Sequence, residues 1–169
     1  YYKKKNKGLD AIINEKYPDQ LTITILVEQP IPGDRDCINL NGDRFVGHTS
    51  IRLEFWVTND EGKKEKQTIY KGFWPDPTYT LTDALTQVTK KGKVEDDKDM
   101  VDKGAWNIAK VYVITPEEAE VAKNFMESYD EENQYNVVNS NCTTFAVDTL
   151  EYIGIESPTE LHHFQLFNI

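Results

Sequence analysis

The sequence is poor in cysteine, in basic residues and in long apolar runs. Its two cysteines, Cys37 and Cys142, cannot build a disulfide scaffold and lack the paired spacing of a zinc site. The 19 Lys and Arg against 29 Asp and Glu give a net charge of −10, which argues against nucleic acid as a partner, because phosphate binding needs a basic surface. No stretch approaches the roughly 18 to 20 apolar residues that span a bilayer, so no transmembrane segment is predicted.

The chain does contain enough large side chains for a folded domain. Its 7 Phe, 9 Tyr and 3 Trp bury large apolar areas, and 169 residues suit one compact unit. The first residues lack the apolar stretch of a signal peptide. We therefore expect either export by another route or a domain that belongs to a longer protein.

The apolar patterning predicts an α+β fold in which an antiparallel sheet packs against helices. The predicted elements are, in chain order, a helix over 8–17, a strand over 21–29, a hairpin of strands over 44–58 and 67–74, a strand over 108–114, and helices that begin after Thr115 and at Cys142. A capping box of Thr115 and Glu118 and a run of three N-cap residues, 139–141, predict where the last two helices begin.

Residues 75–99 are predicted to be mainly loop, because prolines flank Asp76 and polar residues follow. A short helix near 82–88 is the one regular element expected there. We interpret the acidic run 95–99 as a solvated surface rather than a calcium site, since its spacing is not that of an EF-hand loop. The sequence predicts no metal and no cofactor.

Cys142 has two interpretations. It lies on the apolar stripe of the last predicted helix, together with Phe145 and Ala146, where a cysteine acts as a small inert hydrophobe. It also lies at a helix N-terminus, where unpaired amide hydrogens and the helix dipole stabilise a thiolate and can receive an oxyanion. Cys37 follows a turn-like polar stretch and is interpreted as a loop thiol without a role.

A nucleophilic cysteine needs a base, and the chain offers three histidines. His162 and His163 follow Cys142 by about twenty residues in the terminal segment, which makes them poor candidates. His48 lies after Gly47 near the start of a predicted strand. A lone strand histidine is compatible with a structural role, so spacing alone leaves the choice open.

Three segments carry a family resemblance: 47–49 (Gly-His-Thr), 70–75 (Tyr-Lys-Gly-Phe-Trp-Pro) and 135–146, which contains Asn-Cys-Thr-Thr-Phe-Ala. Together they resemble the circularly permuted NlpC/P60-type, papain-like cysteine hydrolases, in which a strand histidine precedes a cysteine at a helix N-terminus. The resemblance implies a papain-like core with Cys142 as nucleophile and His48 as base. It divides the chain into an N-terminal helix and strand extension, 1–42, and a permuted papain-like catalytic domain, 43–169.

The resembling family has a third polar residue that orients the histidine. A hairpin that turns near 60–63 brings residues 74–76 opposite His48, and Asp76 is the predicted orienting residue. A turn aspartate between two prolines is an equal interpretation of Asp76, and Tyr70 or Glu54 are alternatives. Asn141 is predicted to cap the helix, with assistance to the oxyanion as a second role.

The resemblance implies a cysteine hydrolase that cleaves amide bonds in peptidoglycan, as an amidase or endopeptidase. Such domains also occur as antibacterial toxins, so we expect secretion or delivery to the bacterial periplasm, and an immunity or inhibitor protein as a partner. The alternatives are a lecithin:retinol acyltransferase-like enzyme that acts on lipid acyl chains, and an inert binding module on the same fold.

Overall fold

The computed structural model describes residues 8–29, 47–76 and 80–158. The elements are α1 (Leu9–Lys16), β1 (Leu21–Glu28), β2 (His48–Thr58), β3 (Lys64–Asp76), α2 (Leu81–Leu85), β4 (Lys90–Asp96), α3 (Lys98–Asp102), β5 (Ile108–Ile114), α4 (Pro116–Glu132), β6 (Gln134–Tyr135) and α5 (Cys142–Tyr152). None of the helices in these ranges is both long and apolar enough to cross a membrane. Cys37, His162 and His163 lie outside the described residues.

One antiparallel sheet organises the fold, with its six strands in the order β5-β1-β2-β3-β4-β6. β2 and β3 form the predicted hairpin, in which Ser50 lies opposite Gly72. β1 and β5 extend the sheet beyond β2, while β4 and β6 extend it beyond β3. The predicted α+β class is therefore confirmed.

Helices cover both faces of the sheet. Because successive side chains of a strand point to opposite faces, one strand contributes to the packing on both sides. Ile23 and Ile25 of β1 belong to the main apolar core, to which α4 and α5 contribute their apolar faces. Leu26 belongs instead to a smaller cluster that includes Leu9 and Ile13 of α1. The helices α4 and α5 thus cover one face, and α1 covers the other.

The N-terminal part of the chain is integrated into this sheet. β1, which the sequence assigns to an N-terminal extension, lies between β5 and β2 and pairs with both. The predicted boundary at 42 and 43 lies outside the described residues, as do residues 44–46 of the predicted strand 44–58.

The long helices begin where the capping residues predict. Thr115 Oγ1 accepts the Glu118 N–H at 3.1 Å, and the Glu118 carboxylate accepts the Thr115 N–H at 2.7 Å, which confirms the capping box of α4. Asn141 is the N-cap of α5, so Cys142 is the first helical residue.

The prediction of a mainly loop region over 75–99 was wrong, although the short helix expected near 82–88 is observed as α2. This region contains β4, which pairs with β3, and the start of α3. β4 has a single apolar residue, Val94, so it shows no alternation of apolar and polar side chains. Backbone pairing with β3 places this strand, in which Val94 lies opposite Phe73 and Lys93 lies opposite Trp74.

A buried ionic cluster joins α1 to the middle of β2. The Arg52 side chain is 1% exposed and donates from Nε to Asp10 Oδ1 at 2.7 Å, and from its terminal nitrogen to Glu54 Oε1 at 2.9 Å. Glu54 is fully buried and accepts the Thr22 hydroxyl at 2.7 Å, while Tyr70 donates to Asp10. Each buried charge therefore has a partner, as its burial requires.

We expect Arg52→Ala to lower the free energy of unfolding by about 3–5 kcal/mol, because it leaves the buried Glu54 carboxylate without its nearest cation. Lys123→Ala is the control, since it removes a surface pair with Glu127 at 3.4 Å and should cost less than about 0.5 kcal/mol. Urea unfolding measures both. Equal losses would contradict a stabilising role of the buried cluster.

Candidate active site

The N-terminus of α5 presents Cys142 to the first residues of β2. Asn141 Oδ1 accepts the backbone N–H groups of Thr143 and Thr144 at 2.9 and 3.2 Å, and its amide nitrogen donates to the Val137 carbonyl at 2.9 Å. The capping role predicted for Asn141 is thus observed, whereas its assistance to an oxyanion stays a prediction. Cys142 is a free thiol, and its side chain is 7% exposed.

One amide at this helix end is left without a partner. A helix cannot pair its first N–H groups internally. Thr143 and Thr144 use Asn141 Oδ1, and the Asn141 N–H donates to Thr144 Oγ1 at 3.3 Å. Within the described part of the chain, the Cys142 N–H has no hydrogen-bond acceptor, so it is available to an anionic oxygen that approaches the thiol.

His48, the first residue of β2, lies between Cys142 and a carboxylate. Its Nε2 is 2.7 Å from Asp97 Oδ2, and the nearby Cys142 contributes to the raised pKa of the ring. Because Asp97 occupies Nε2, Nδ1 is the nitrogen left for the thiol. The Trp74 ring stacks on the imidazole with the centroids 3.9 Å apart, which fixes the plane of the ring.

Asp97 follows β4 directly and is held by three donors. Its Oδ2 accepts from His48 and from Ser50 Oγ at 2.5 Å, and its Oδ1 accepts the Trp74 indole N–H at 2.9 Å. Only 2% of the side chain is exposed. The structure therefore brings Cys142, His48 and Asp97 into one buried row.

The row favours charged forms of its members. Burial alone lowers the pKa of His48, but the negative charge of Cys142 and the hydrogen bond and charge of Asp97 outweigh it and raise the pKa to about 9. Burial alone raises the pKa of Cys142, but the His48 cation and the N–H of Thr49 lower it below its ordinary value. Burial is likewise outweighed at Asp97, whose pKa is lowered by His48, Ser50 and Trp74. Both shifts favour the thiolate–imidazolium form of the pair.

The orienting carboxylate is Asp97 rather than the predicted Asp76. Asp76 lies at the exposed end of β3, opposite Lys91 in the neighbouring strand. Continuing the register of Ser50 opposite Gly72 brings Trp74, the first residue of the predicted range 74–76, opposite His48, so Asp76 lies two residues further along β3. The two alternatives serve the ionic cluster of Arg52: Tyr70 donates to Asp10, and Glu54 accepts from Arg52.

Sequence reasoning does not identify Asp97 as a site residue, because Asp97 belongs to the acidic run 95–99 and such a run predicts a solvated surface. The strand that places it, β4, includes the first two residues of the run and shows no apolar alternation, so no local signal identifies Asp97. Among the described residues, no group of three or more His, Cys, Asp and Glu side chains is arranged to hold a metal ion.

We expect Asp97→Asn, which keeps the shape but removes the charge, to slow alkylation of Cys142 by iodoacetamide about tenfold or more near pH 6.5. Loss of the carboxylate lowers the pKa of His48, and the thiolate fraction falls with the imidazolium. Peptide mass spectrometry separates Cys142 from Cys37. Asp76→Asn is the control and should react like the wild type; the opposite pattern would make Asp76 the orienting residue.

Gly72 leaves the space that the His48–Asp97 pair occupies. A Cβ at this position would overlap Asp97 Oδ2 and lie 2.6 Å from His48 Nε2. We expect Gly72→Ala to lower the free energy of unfolding by about 1–3 kcal/mol and to slow Cys142 alkylation at neutral pH, because the pair must move. Gly8→Ala, whose Cβ meets no atom within 4 Å, should change neither quantity. An unchanged alkylation rate in Gly72→Ala would show that the pair tolerates the displacement.

Comparison with models of known protein families found no match, and no similar chain was found among curated proteins or solved structures. What the site does is therefore inferred from the geometry of its own residues.

Proposed function

We propose that this protein is a cysteine hydrolase that cleaves amide bonds by acyl transfer through Cys142. The observation that carries the proposal is the buried row in which the His48 cation stabilises the charges of Cys142 and Asp97 and is itself stabilised by both. Burying ionised groups costs free energy, and a cysteine that only fills space needs none of them. Such perturbed titrating groups are typical of functional sites.

In the proposed acylation step, Cys142 Sγ attacks the carbonyl carbon and the carbonyl oxygen becomes an oxyanion. The unpaired Cys142 N–H at the start of α5 donates to this oxygen. When the tetrahedral intermediate collapses, the C–N bond breaks and the His48 imidazolium gives its proton to the leaving nitrogen. A thioester on Cys142 and a neutral His48 remain.

In the proposed deacylation step, neutral His48 takes a proton from a water molecule whose oxygen attacks the thioester carbon. The second intermediate releases the carboxylic acid, and the Cys142 thiolate returns beside a protonated His48. Asp97 keeps its charge throughout: it orients the imidazole and stabilises its cationic form.

The proposed substrate class is a peptide bond or amide bond of peptidoglycan. Support for it comes from the resemblance of segments 47–49, 70–75 and 135–146 to permuted NlpC/P60-type hydrolases, together with the order in which base and nucleophile occur in the chain. On this proposal the protein acts after secretion or delivery to the bacterial periplasm. An inhibitor that complements a net charge of −10 would present a basic surface.

The substrate is tested by incubating the protein with purified muropeptides and, separately, with phospholipid vesicles, with products identified by mass spectrometry. Cys142→Ala is the inactive control, and Asp76→Asn is the control for loss of a carboxylate outside the row. Release of new peptides by the wild type and Asp76→Asn alone supports a peptidoglycan hydrolase. Release of fatty acids instead would identify a lipid acyl hydrolase.

If neither product appears, the peptidoglycan proposal is wrong. Alkylation then separates the remaining cases. A wild-type Cys142 that reacts at pH 6.5 no faster than an ordinary thiol would remove the proposed nucleophile and leave an inert module.

The rate of acylation, measured as kcat/KM, should follow a bell-shaped pH profile. The raised pKa of His48 means that the imidazolium is present below about pH 9 and is lost above it, so activity falls there. The lowered pKa of Cys142 keeps the thiolate present down to a pH below its ordinary range, where the acidic limb begins. Asp97→Asn should move the basic limb down by about 1–3 pH units. A basic limb that does not move would contradict the coupling of His48 to Asp97.

A further inference from the structure

A pair of threonine hydroxyls joins the strand that carries the base to the helix that carries the nucleophile. Thr49 Oγ1 and Thr143 Oγ1 are 2.9 Å apart, and the side chains are 1% and 4% exposed. Each threonine directly follows a member of the site, Thr49 after His48 and Thr143 after Cys142. The contact therefore lies one residue away from both reacting side chains.

Thr49 also acts on the nucleophile through its backbone. Its N–H lowers the pKa of Cys142, which favours the thiolate. Because the hydroxyl and the N–H belong to one residue, a shift of α5 away from β2 would lengthen both contacts. The threonine pair thus restrains the part of β2 that binds Cys142.

We propose that Thr49 and Thr143 are positioning residues, whose mutual hydrogen bond sets the separation of Cys142 and His48. The inference rests on the proposed function, since it assigns a role in aligning that site. The attraction between a thiolate and an imidazolium falls with distance and rises in a water-poor site, so a small separation of strand and helix weakens it. A buried hydroxyl pair resists this separation because parting would leave both hydroxyls unpaired.

Valine and serine substitutions distinguish the hydroxyl from the shape of threonine. Thr49→Val and Thr143→Val keep the branched shape and remove the hydroxyl, whereas Thr143→Ser keeps the hydroxyl. Thr149→Val is the matched control: Thr149 is fully buried on the same helix, but its hydroxyl donates to the Phe145 carbonyl of α5 at 2.7 Å. Thermal unfolding verifies that each variant is folded.

The rate of Cys142 alkylation by iodoacetamide, measured as a function of pH without substrate, is the main measurement. We expect each valine variant at 49 or 143 to react about five- to tenfold more slowly near pH 6.5, with the midpoint of the pH profile shifted upward. His48, followed by NMR, should lose its proton at a lower pH. Thr143→Ser and Thr149→Val should keep the wild-type midpoint.

The double variant Thr49→Val/Thr143→Val tests whether the two hydroxyls act as a pair. It should react about as fast as either single variant, because the first substitution already breaks the hydrogen bond. Effects that multiply, a wild-type midpoint in both single variants, or an equal shift in Thr149→Val would each overturn the proposal.

The same measurement separates this proposal from the proposed function. A wild-type Cys142 that titrates like an ordinary thiol would overturn the proposed function itself. An activated wild type whose valine variants are unchanged would overturn the positioning role alone.

Discussion

The hydrogen bond between His48 and Asp97 is the contact on which the geometry of the site depends. It joins the first residue of β2 to the residue that follows β4, and β3 lies between these two strands. The pair therefore sits over β3, where Gly72 provides room and Trp74 supplies both a stacking ring and a donor. α5 completes the site by bringing Cys142 to the other side of the imidazole. Hence the register of β2, β3 and β4 determines the geometry of the site as much as the identities of Cys142, His48 and Asp97 do.

The polar face of β2 explains why this register is well determined. Along β2, one set of polar side chains alternates with a second set that is mostly apolar. The polar set is His48, Ser50, Arg52 and Glu54, and the second set is Thr49, Ile51, Leu53 and Phe55. The first set joins the buried row or the ionic cluster under α1, while the apolar members of the second set enter the main core. A slip of one residue would move ionised groups into the apolar core and apolar groups away from it. The ionised side chains of β2 therefore also disfavour a strand register that is shifted by one residue.

The elements that sequence reasoning could identify are those with strong local signals. Caps mark the starts of α4 and α5, alternation marks β1 and β2, and the position of Cys142 at a helix N-terminus follows from Asn141. Asp97 could not be found in this way because β4 owes its place to backbone pairing with β3 rather than to an apolar face. The choice of Asp76 depends on a hairpin register that differs from the observed one by one or two residues. A shift of that size changes which residue of β3 faces His48. Long-range pairing, which local patterns do not encode, decided the third member of the row.

The N-cap of α5 shows how helix capping and the proposed reaction at Cys142 would share one set of amides. Asn, Asp and Ser cap helices about equally well, so stability alone does not select among them at 141. A carboxylate there would place a second negative charge beside the Cys142 thiolate and raise the pKa of that thiol. The neutral amide of Asn141 accepts from Thr143 and Thr144, anchors itself on Val137, and adds no charge. Among the described residues it also leaves the Cys142 N–H without an acceptor, so the helix is capped while the amide closest to the thiol stays open to the oxyanion that the proposed reaction would form.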